Sequence, residues 1–306
     1  MFAAFLATFC FSISVVCGTR TAKLIGGVEA NFWRLALATF FLGCWAFTGG
    51  NGLSGGALPM FLLSGLVGIG IGDAGLFEAL PRLGSRLSVL LIQCGTAPIA
   101  AVIEWLWLGT TLGAVQILCV GIILAGVGTA LSPGEHLHIP RRKLWSGVAF
   151  ALVGAAGNGI GAVMSRKGYA IAFADNEPMD GGTAAFQRLL GGLLIAGILL
   201  LVAKRHFVRL PGGTGDFVNT ASARDKWRRI WPWVLANSLA GQTVGMSLML
   251  WALKTTPTGI VTAVTALTPL VVIPFARAME QEKVSPRALI GGAIAVAGVV
   301  GLALVR

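Results

Sequence analysis

Four ionisable residues lie within long apolar stretches of this sequence, where a charge is unfavourable. Arg34, Asp73, Glu104 and Arg188 each interrupt a run of mainly hydrophobic residues. A charged side chain at the centre of a membrane helix costs about 2.5–3.5 kcal/mol on insertion scales, so each of these residues requires either a partner or a function. They are therefore the first candidates for chemistry in this chain.

Asp73 is the strongest of these candidates, because it is a carboxylate with small neighbours. Glycines occupy positions 68, 70, 72 and 75, and small residues allow helices to approach closely or to distort locally. A carboxylate there can bind a cationic group of a solute or titrate as a coupling site. The alternative is a structural ion pair or an interhelical hydrogen bond, for which Arg34 is a suitable partner.

The remaining charged positions have competing interpretations. Arg34 and Arg188 are predicted to contact an anionic substrate group or a gate; the alternative is that each one snorkels to the interface or fixes a helix end. Glu104 has Trp105 and Trp107 beside it. Because tryptophan favours the headgroup layer, these neighbours indicate that Glu104 lies at the membrane interface.

Polar amides add weaker candidates for substrate contact, although such residues also form ordinary hydrogen bonds between membrane helices. The amide candidates are Gln93, Asn237 and Gln242.

The sequence contains no G-x-S-x-G, H-E-x-x-H or P-loop motif, so neither an enzyme nor an ATP-driven pump is expected. No catalytic residue, metal site or cofactor is predicted.

Three prolines are predicted to break or hinge membrane helices. A proline removes one backbone hydrogen bond and kinks a helix, and the carbonyl group that it frees can line a cavity. Pro98 and Pro269 occupy corresponding positions in the two halves of the sequence, and Pro274 adds a second break close to Pro269.

The composition indicates that lipid is the solvent for much of the surface. Of 306 residues, 56% are hydrophobic and 11% are charged, whereas a soluble domain carries about 25% charged residues. The net charge of +11 is explained by cytoplasmic loops rich in Lys and Arg, and nucleic acid is not an expected partner. The expected partners are the lipid bilayer and a small-molecule substrate.

Ten apolar stretches are long enough to cross a bilayer as helices, which takes about 20 residues each. Their length and lack of alternation exclude barrel strands. The predicted fold is therefore an all-α integral membrane protein with ten transmembrane helices. The stretches are 2–19, 30–48, 57–80, 85–108, 112–131, 144–164, 183–203, 230–252, 257–279 and 286–305.

The two halves of the chain match each other in order. A shift of 154 residues aligns Arg34 with Arg188, and a shift of 173 aligns Gly68 and Gly72 with Gly241 and Gly245. Because each half holds an odd number of helices, the second half must enter the membrane inverted, which is a transporter architecture. The predicted units are a first repeat at 1–131, a linker at 132–143 and a second repeat at 144–306.

Basic residues concentrate in the loops that follow odd-numbered helices. The positive-inside rule places these loops in the cytoplasm and both chain termini outside. The absence of a targeting segment fits a multi-pass protein of a bacterial inner membrane.

An ordered set of short motifs recurs in both halves. The first half carries Phe-Trp-Arg-Leu at 32–35 and Ile-Gly-Asp-Ala-Gly-Leu-Phe-Glu-Ala-Leu at 71–80, and the second carries Phe-Gln-Arg at 186–188 and Glu-Lys-Val-Ser-Pro at 282–286. In these motifs the chain resembles the EamA-type family of the drug/metabolite transporter superfamily. The resemblance implies a ten-helix fold with a central cavity, export or exchange of metabolites, amino acids or drugs, and cytoplasmic termini, the last in conflict with the charge rule.

The predicted function is that of a secondary transporter. Such a protein would move a small metabolite, amino acid or drug-like solute by alternating access, in efflux or exchange, with proton or ion coupling as an open question. One alternative is a lipid-linked flippase of the same fold, and another is a non-transporting membrane scaffold.

Overall fold

The computed structural model describes residues 1–131, 140–208, 220–272 and 286–304. Regular structure in these ranges is entirely helical, as expected where backbone groups in lipid must be bonded within their own segment. Five helices are long and apolar enough to cross a membrane, by length and composition. These spans are Phe2–Ala22, Leu58–Leu76, Ser88–Leu108, Arg141–Ala174 and Gly181–Ala203.

The chain begins with an antiparallel pair of helices. Helix α1 covers Phe2–Ile25 and α2 covers Gly27–Thr48. Gly26 separates them with φ of +84°, a conformation that a residue with a Cβ atom adopts only under strain. A one-residue break therefore suffices to start a new helix.

The third apolar stretch contains a change of helix type. Helix α3 (Leu58–Gly65) passes directly into a π-helical segment, π1 (Leu66–Ile71), and this segment into α4 (Gly72–Leu108). A π turn holds more residues than an α turn, and such segments occur frequently at functional sites.

Helix α4 doubles back on itself although it is helical throughout. A methyl group at Gly75 would lie 2.5 Å from the backbone nitrogen of Gly154, and one at Gly147 would lie 2.5 Å from Cγ of Leu83. Further along, Gly95 lies against Ala155. The first part of α4 thus runs along helix α6 (Arg141–Ala174) towards the N-terminus of α6, and the last part of α4 runs back along it. Residues 81–84, expected to form a loop, are helical, and the reversal falls between Leu83 and Gly95.

Helices α5 (Ala114–Leu131) and α7 (Gly181–Val208) flank α6 in the sequence. Gly109 ends α4 in the left-handed conformation, with φ of +68°, which is the usual role of glycine after a helix.

The second half repeats the change of helix type. Helix α8 (Thr220–Asn237) passes into π2 (Ser238–Gly245) and then into α9 (Met246–Thr255). Helices α10 (Thr258–Thr265) and α11 (Pro286–Leu304) follow.

Each π segment packs against two helices from the other half of the sequence. Segment π1 packs against α6 and α7, whereas π2 packs against α1 and α2. Helix α2 also packs against α7, and α5 against α11. Large side chains fill the core between these helices, including Leu35, Phe61, Leu189 and Leu250.

The connections at 49–57 and 175–180 meet at one end of the bundle. Asn51 donates a hydrogen bond of 2.9 Å to the carbonyl of Pro178. Asp180 accepts bonds from the backbone of Gly182 and Thr183 and from the Trp45 indole. Burial raises the pKa of Asp180. These hydrogen bonds and the one from the Thr183 hydroxyl together lower the pKa by more than burial raises it, so the pKa lies below its ordinary value.

Candidate functional site

Asp73 belongs to a polar triad at the junction of π1 and α4. Asn31 donates a hydrogen bond of 3.0 Å to Oδ2 of Asp73 and accepts one of 2.5 Å from Nη2 of Arg34. Nη2 of Arg34 lies 3.9 Å from the same Oδ2, which is longer than a charge-assisted hydrogen bond. The amide of Asn31 therefore holds the two charged groups together.

This triad is accessible and not saturated. The side chains of Arg34 and Asp73 are 24% and 22% exposed. Oδ1 of Asp73 accepts no hydrogen bond from the part of the chain that the structure describes. The carboxylate of Asp73 therefore keeps one oxygen that Arg34 and Asn31 do not engage.

Glycines bring π1 into backbone contact with α6. A methyl group at Gly161 would lie 2.5 Å from Cα of Gly68, and one at Gly157 would lie 2.8 Å from the nitrogen of Gly72. Four-residue spacing on both elements gives each one a smooth face, as in closely packed membrane helices. The Asn158 side chain also reaches Gly72, so a further amide lies beside the triad.

Arg188, in α7, also lies against π1. Its side chain is 3% exposed. Nη1 donates a hydrogen bond of 3.1 Å to the carbonyl of Gly161 and one of 2.6 Å to Oγ of Ser165, which in turn lies 2.6 Å from Oγ of Ser64. The residue is thus embedded between α6 and π1 and does not snorkel to the interface.

Glu104, whose tryptophan neighbours predicted a position at the membrane interface, forms an ion pair that is buried in the bundle. Its side chain is 2% exposed, and Oε1 lies 2.6 Å from Nε of Arg166. Oε2 accepts a hydrogen bond of 2.6 Å from the backbone nitrogen of Thr258, the first residue of α10. Arg166 also donates to the carbonyls of Leu253 and Thr256, where α9 ends.

Each charge of this pair meets the helix end of opposite polarity. A carboxylate stabilises the positive N-terminus of a helix, and a guanidinium stabilises a negative C-terminus. The Glu104–Arg166 pair therefore fixes the short connection between α9 and α10 to α4 and α6.

The three amide candidates have different surroundings. Oδ1 of Asn237 accepts a hydrogen bond of 2.5 Å from Oγ of Ser14. Gln242 is buried within π2, and its Oε1 has no partner among the described residues. Gln93 is half-buried in α4. Asn237 and Gln242 thus lie next to or within π2, in the same way that Arg188 and Asp73 lie next to π1.

The prolines also differ from one another. Helix α4 continues through Pro98 without interruption. In the ninth apolar stretch, α10 ends at Thr265 and the chain is helical again from residue 268, so a break at 266–267 directly precedes Pro269. Pro274 lies outside the described residues.

Several residues and elements of the site were not predicted from the sequence. Asn31, Ser165 and Arg166 were not identified, and neither were the π-helical segments. The repeated four-residue glycine spacing at positions 68, 72, 157 and 161 is the pattern that could have indicated close contact between these two elements.

Comparison with known proteins agrees with this architecture. The EamA-like transporter family matches residues 1–132 and 145–304. Among solved structures, one titled "Crystal structure of protein" has a TM-score of 0.71 at 15% sequence identity, covering 99% of this chain and 96% of that chain. At that identity the likeness shows the fold alone. No curated protein matches.

Proposed function

Because this chain belongs to the EamA-like transporter family of the drug/metabolite transporter superfamily, we propose that it is a secondary transporter that works by alternating access. It is an integral, multi-pass membrane protein, and its solute is a small metabolite, amino acid or drug-like molecule that leaves the cell or is exchanged. The triad of Asn31, Arg34 and Asp73 forms its substrate or coupling site.

The arrangement of the elements supports two inverted repeats of five helices. Segments π1 and π2 lie at positions related by the shift of 173 residues that aligns the two halves. The packing partners follow the same relation, because π1 contacts α6 and α7 whereas π2 contacts α1 and α2. Each half thus inserts its π segment between the first two helices of the other half.

That interlocking suits alternating access. If one half rocks against the other, the glycine-lined contacts of π1 with α6 and of π2 with α1 are the surfaces that slide. Smooth glycine faces oppose such a movement less than interdigitated large side chains do. Asp73 is the second residue after π1 and therefore lies where the two halves move relative to each other.

The triad supplies the chemistry of a coupling site. When Asp73 is ionised, it attracts Arg34; when it is protonated or engaged by a solute cation, that attraction is weakened. Binding therefore changes the force that holds α2 to α4, which links occupancy of the site to the relative position of two helices. The partly exposed carboxylate with a vacant Oδ1 is the observation that carries this proposal.

Transport by purified protein in liposomes tests the proposal. Wild type should move members of a metabolite panel, with a rate that depends on an imposed pH gradient. Asp73→Asn should reduce the rate at least about tenfold, as expected when an interaction with a charged group is lost, and should abolish the pH dependence. Glu78→Gln is the matched control, since Glu78 lies in the same helix and is 55% exposed.

The outcomes separate the roles. Unchanged transport with unchanged pH dependence in Asp73→Asn excludes the coupling role. Reduced transport that keeps its pH dependence assigns Asp73 to solute binding alone. Wild-type liposomes that move no solute on the panel contradict the transport function.

A further inference from the structure

Arg188 is a buried cation for which the described residues supply no counter-anion. Arg34 faces Asp73, and Arg166 faces Glu104, but no described carboxylate lies within ion-pair distance of Arg188. The side chain is 3% exposed, so water does not compensate the charge. Because an unpaired charge in a medium of low dielectric constant is unfavourable, this position is prepared for an anion.

The unbonded donors of Arg188 lie on one edge of the guanidinium. Nη1 is occupied by the carbonyl of Gly161 and the hydroxyl of Ser165. Neither Nε nor Nη2 donates a hydrogen bond to any residue that the structure describes. Nε and Nη2 together form the planar fork that binds two oxygen atoms of a carboxylate or phosphate group.

Gly68 lies directly against this edge in the present conformation. A methyl group at Gly68 would lie 2.5 Å from Nη2 of Arg188, so a larger residue there would displace the guanidinium. Gly68 belongs to π1, and Asp73 is the second residue after that segment. A cationic and an anionic side chain therefore flank the same short π-helical segment.

The two halves of the sequence differ at just these positions. Arg188 corresponds to Arg34, but Ala185 and Met246 stand where the first half has Asn31 and Asp73. The second half thus retains the cation and lacks both polar partners that bind it in the first half. The missing anion has to come from outside the described part of the chain.

We propose that the Nε–Nη2 edge of Arg188 binds an oxyanion group, carboxylate or phosphate, of the transported solute. This inference rests on the proposed transport function and adds a substrate class to it. The edge is enclosed in this conformation, and the solute reaches it when α7 and π1 separate during the transport cycle. Asp73 remains available for a proton or for a cationic group of the same solute.

Matched solutes in the liposome assay test the proposal. Nicotinate, succinate and glycerol 3-phosphate are compared with nicotinamide, succinamide and glycerol, which lack the anionic group. Wild type should transport or bind one or more of the anionic members and reject the neutral partner. Arg188→Gln should weaken that transport about 10- to 100-fold, as expected for hydrogen bonds to a charged group. Arg188→Lys should be intermediate, because lysine keeps the charge and loses the fork.

Arg82→Gln serves as the control, since Arg82 forms a partly exposed pair with Glu78 one turn earlier. Equal transport of an acid and its amide by wild type, or an unchanged KM in folded Arg188→Gln, overturns the proposal. If Arg188→Gln does not yield monodisperse protein, competition in wild type decides: inhibition by the acid and not by its amide supports the oxyanion site, and equal inhibition overturns it.

The assay also separates this inference from the proposed function. Transport of neutral or cationic solutes alone overturns the oxyanion site and leaves the transporter standing. The absence of flux for every solute overturns both. A carboxylate preference without transport of glycerol 3-phosphate, or the reverse, supports the site and identifies which oxyanion it takes.

Discussion

At the scale of single residues, Glu104 points away from its tryptophan neighbours. Trp105 and Trp107 are 56% and 45% exposed, whereas Glu104 is 2% exposed. Successive residues of an α-helix are rotated by about 100°, so adjacent side chains lie on different faces. The tryptophan neighbours predicted the membrane interface for Glu104, and helical phase, which proximity in the sequence does not show, turns its side chain into the bundle.

Replacing Glu104 should show how much the buried pair stabilises the fold. Glu104→Gln leaves the Arg166 guanidinium without its carboxylate, and the free energy of unfolding should fall by about 3 kcal/mol, as expected for a broken buried pair. Glu78→Gln breaks an exposed pair in the same helix and should cost less than about 1 kcal/mol. Thermal unfolding in detergent measures both variants. Equal effects of the two substitutions would show that the Glu104 pair contributes no more than a surface contact.

Some site residues were predictable from the sequence and others were not. Asp73 and Arg34 stand out because a charge in an apolar run is rare, and the structure places them together as the ion-pair interpretation expected. Asn31 gives no such contrast, because an isolated amide near a helix start is common. Arg166 was assigned to a loop, since the apolar run ends near residue 164, but α6 continues to Ala174.

At the scale of elements, glycines decide how closely the helices approach. A methyl group at Gly65 would collide with the carbonyl oxygen of Arg188, so α3 and α7 are in direct backbone contact there. The sequence predicted the location of this helix and the importance of its glycines. It could not predict the π geometry, because that depends on tertiary contacts with α6 and α7 and not on local propensity.

Alanine substitutions should distinguish the close contact from an ordinary helical glycine. Gly65→Ala should lower the free energy of unfolding by about 1–3 kcal/mol or more, because the added methyl group overpacks a backbone contact. Gly121→Ala, where a methyl group would meet no atom of the described residues within 4 Å, should be neutral or stabilising by up to about 1 kcal/mol. Thermal unfolding of the two purified variants gives the comparison. A tolerated Gly65→Ala would mean that α7 moves aside readily.

At the scale of the whole molecule, the two ends of the bundle differ in charge. The end formed by 49–57 and 175–180 carries Asp175, Glu177 and Asp180, whereas α6 begins at the other end with Arg141, Arg142 and Lys143. Helix α6 has 34 residues and is therefore about 50 Å long. The charge distribution predicts that the basic end faces the cytoplasm and that both termini lie outside.

Thiol labelling of intact cells checks this orientation. In a cysteine-free background, Ser54→Cys should react with a membrane-impermeant maleimide from outside, and Lys143→Cys should react only after permeabilisation. Reversed labelling would show that the charge rule fails here and that the termini are cytoplasmic. Labelling of both positions from the same side would contradict the separation of these two ends by the bilayer.

Segment π1 also affects the direction in which the side chains after it face. A π turn takes up an extra residue within a single wide turn, so the helices before and after Leu66–Ile71 keep nearly the relative facing of an uninterrupted α-helix. An extra residue in a regular part of the helix would instead rotate everything beyond it by about 100°. Divergence within such a protein can therefore change the length of this span by one residue at π1 without redirecting its central charge.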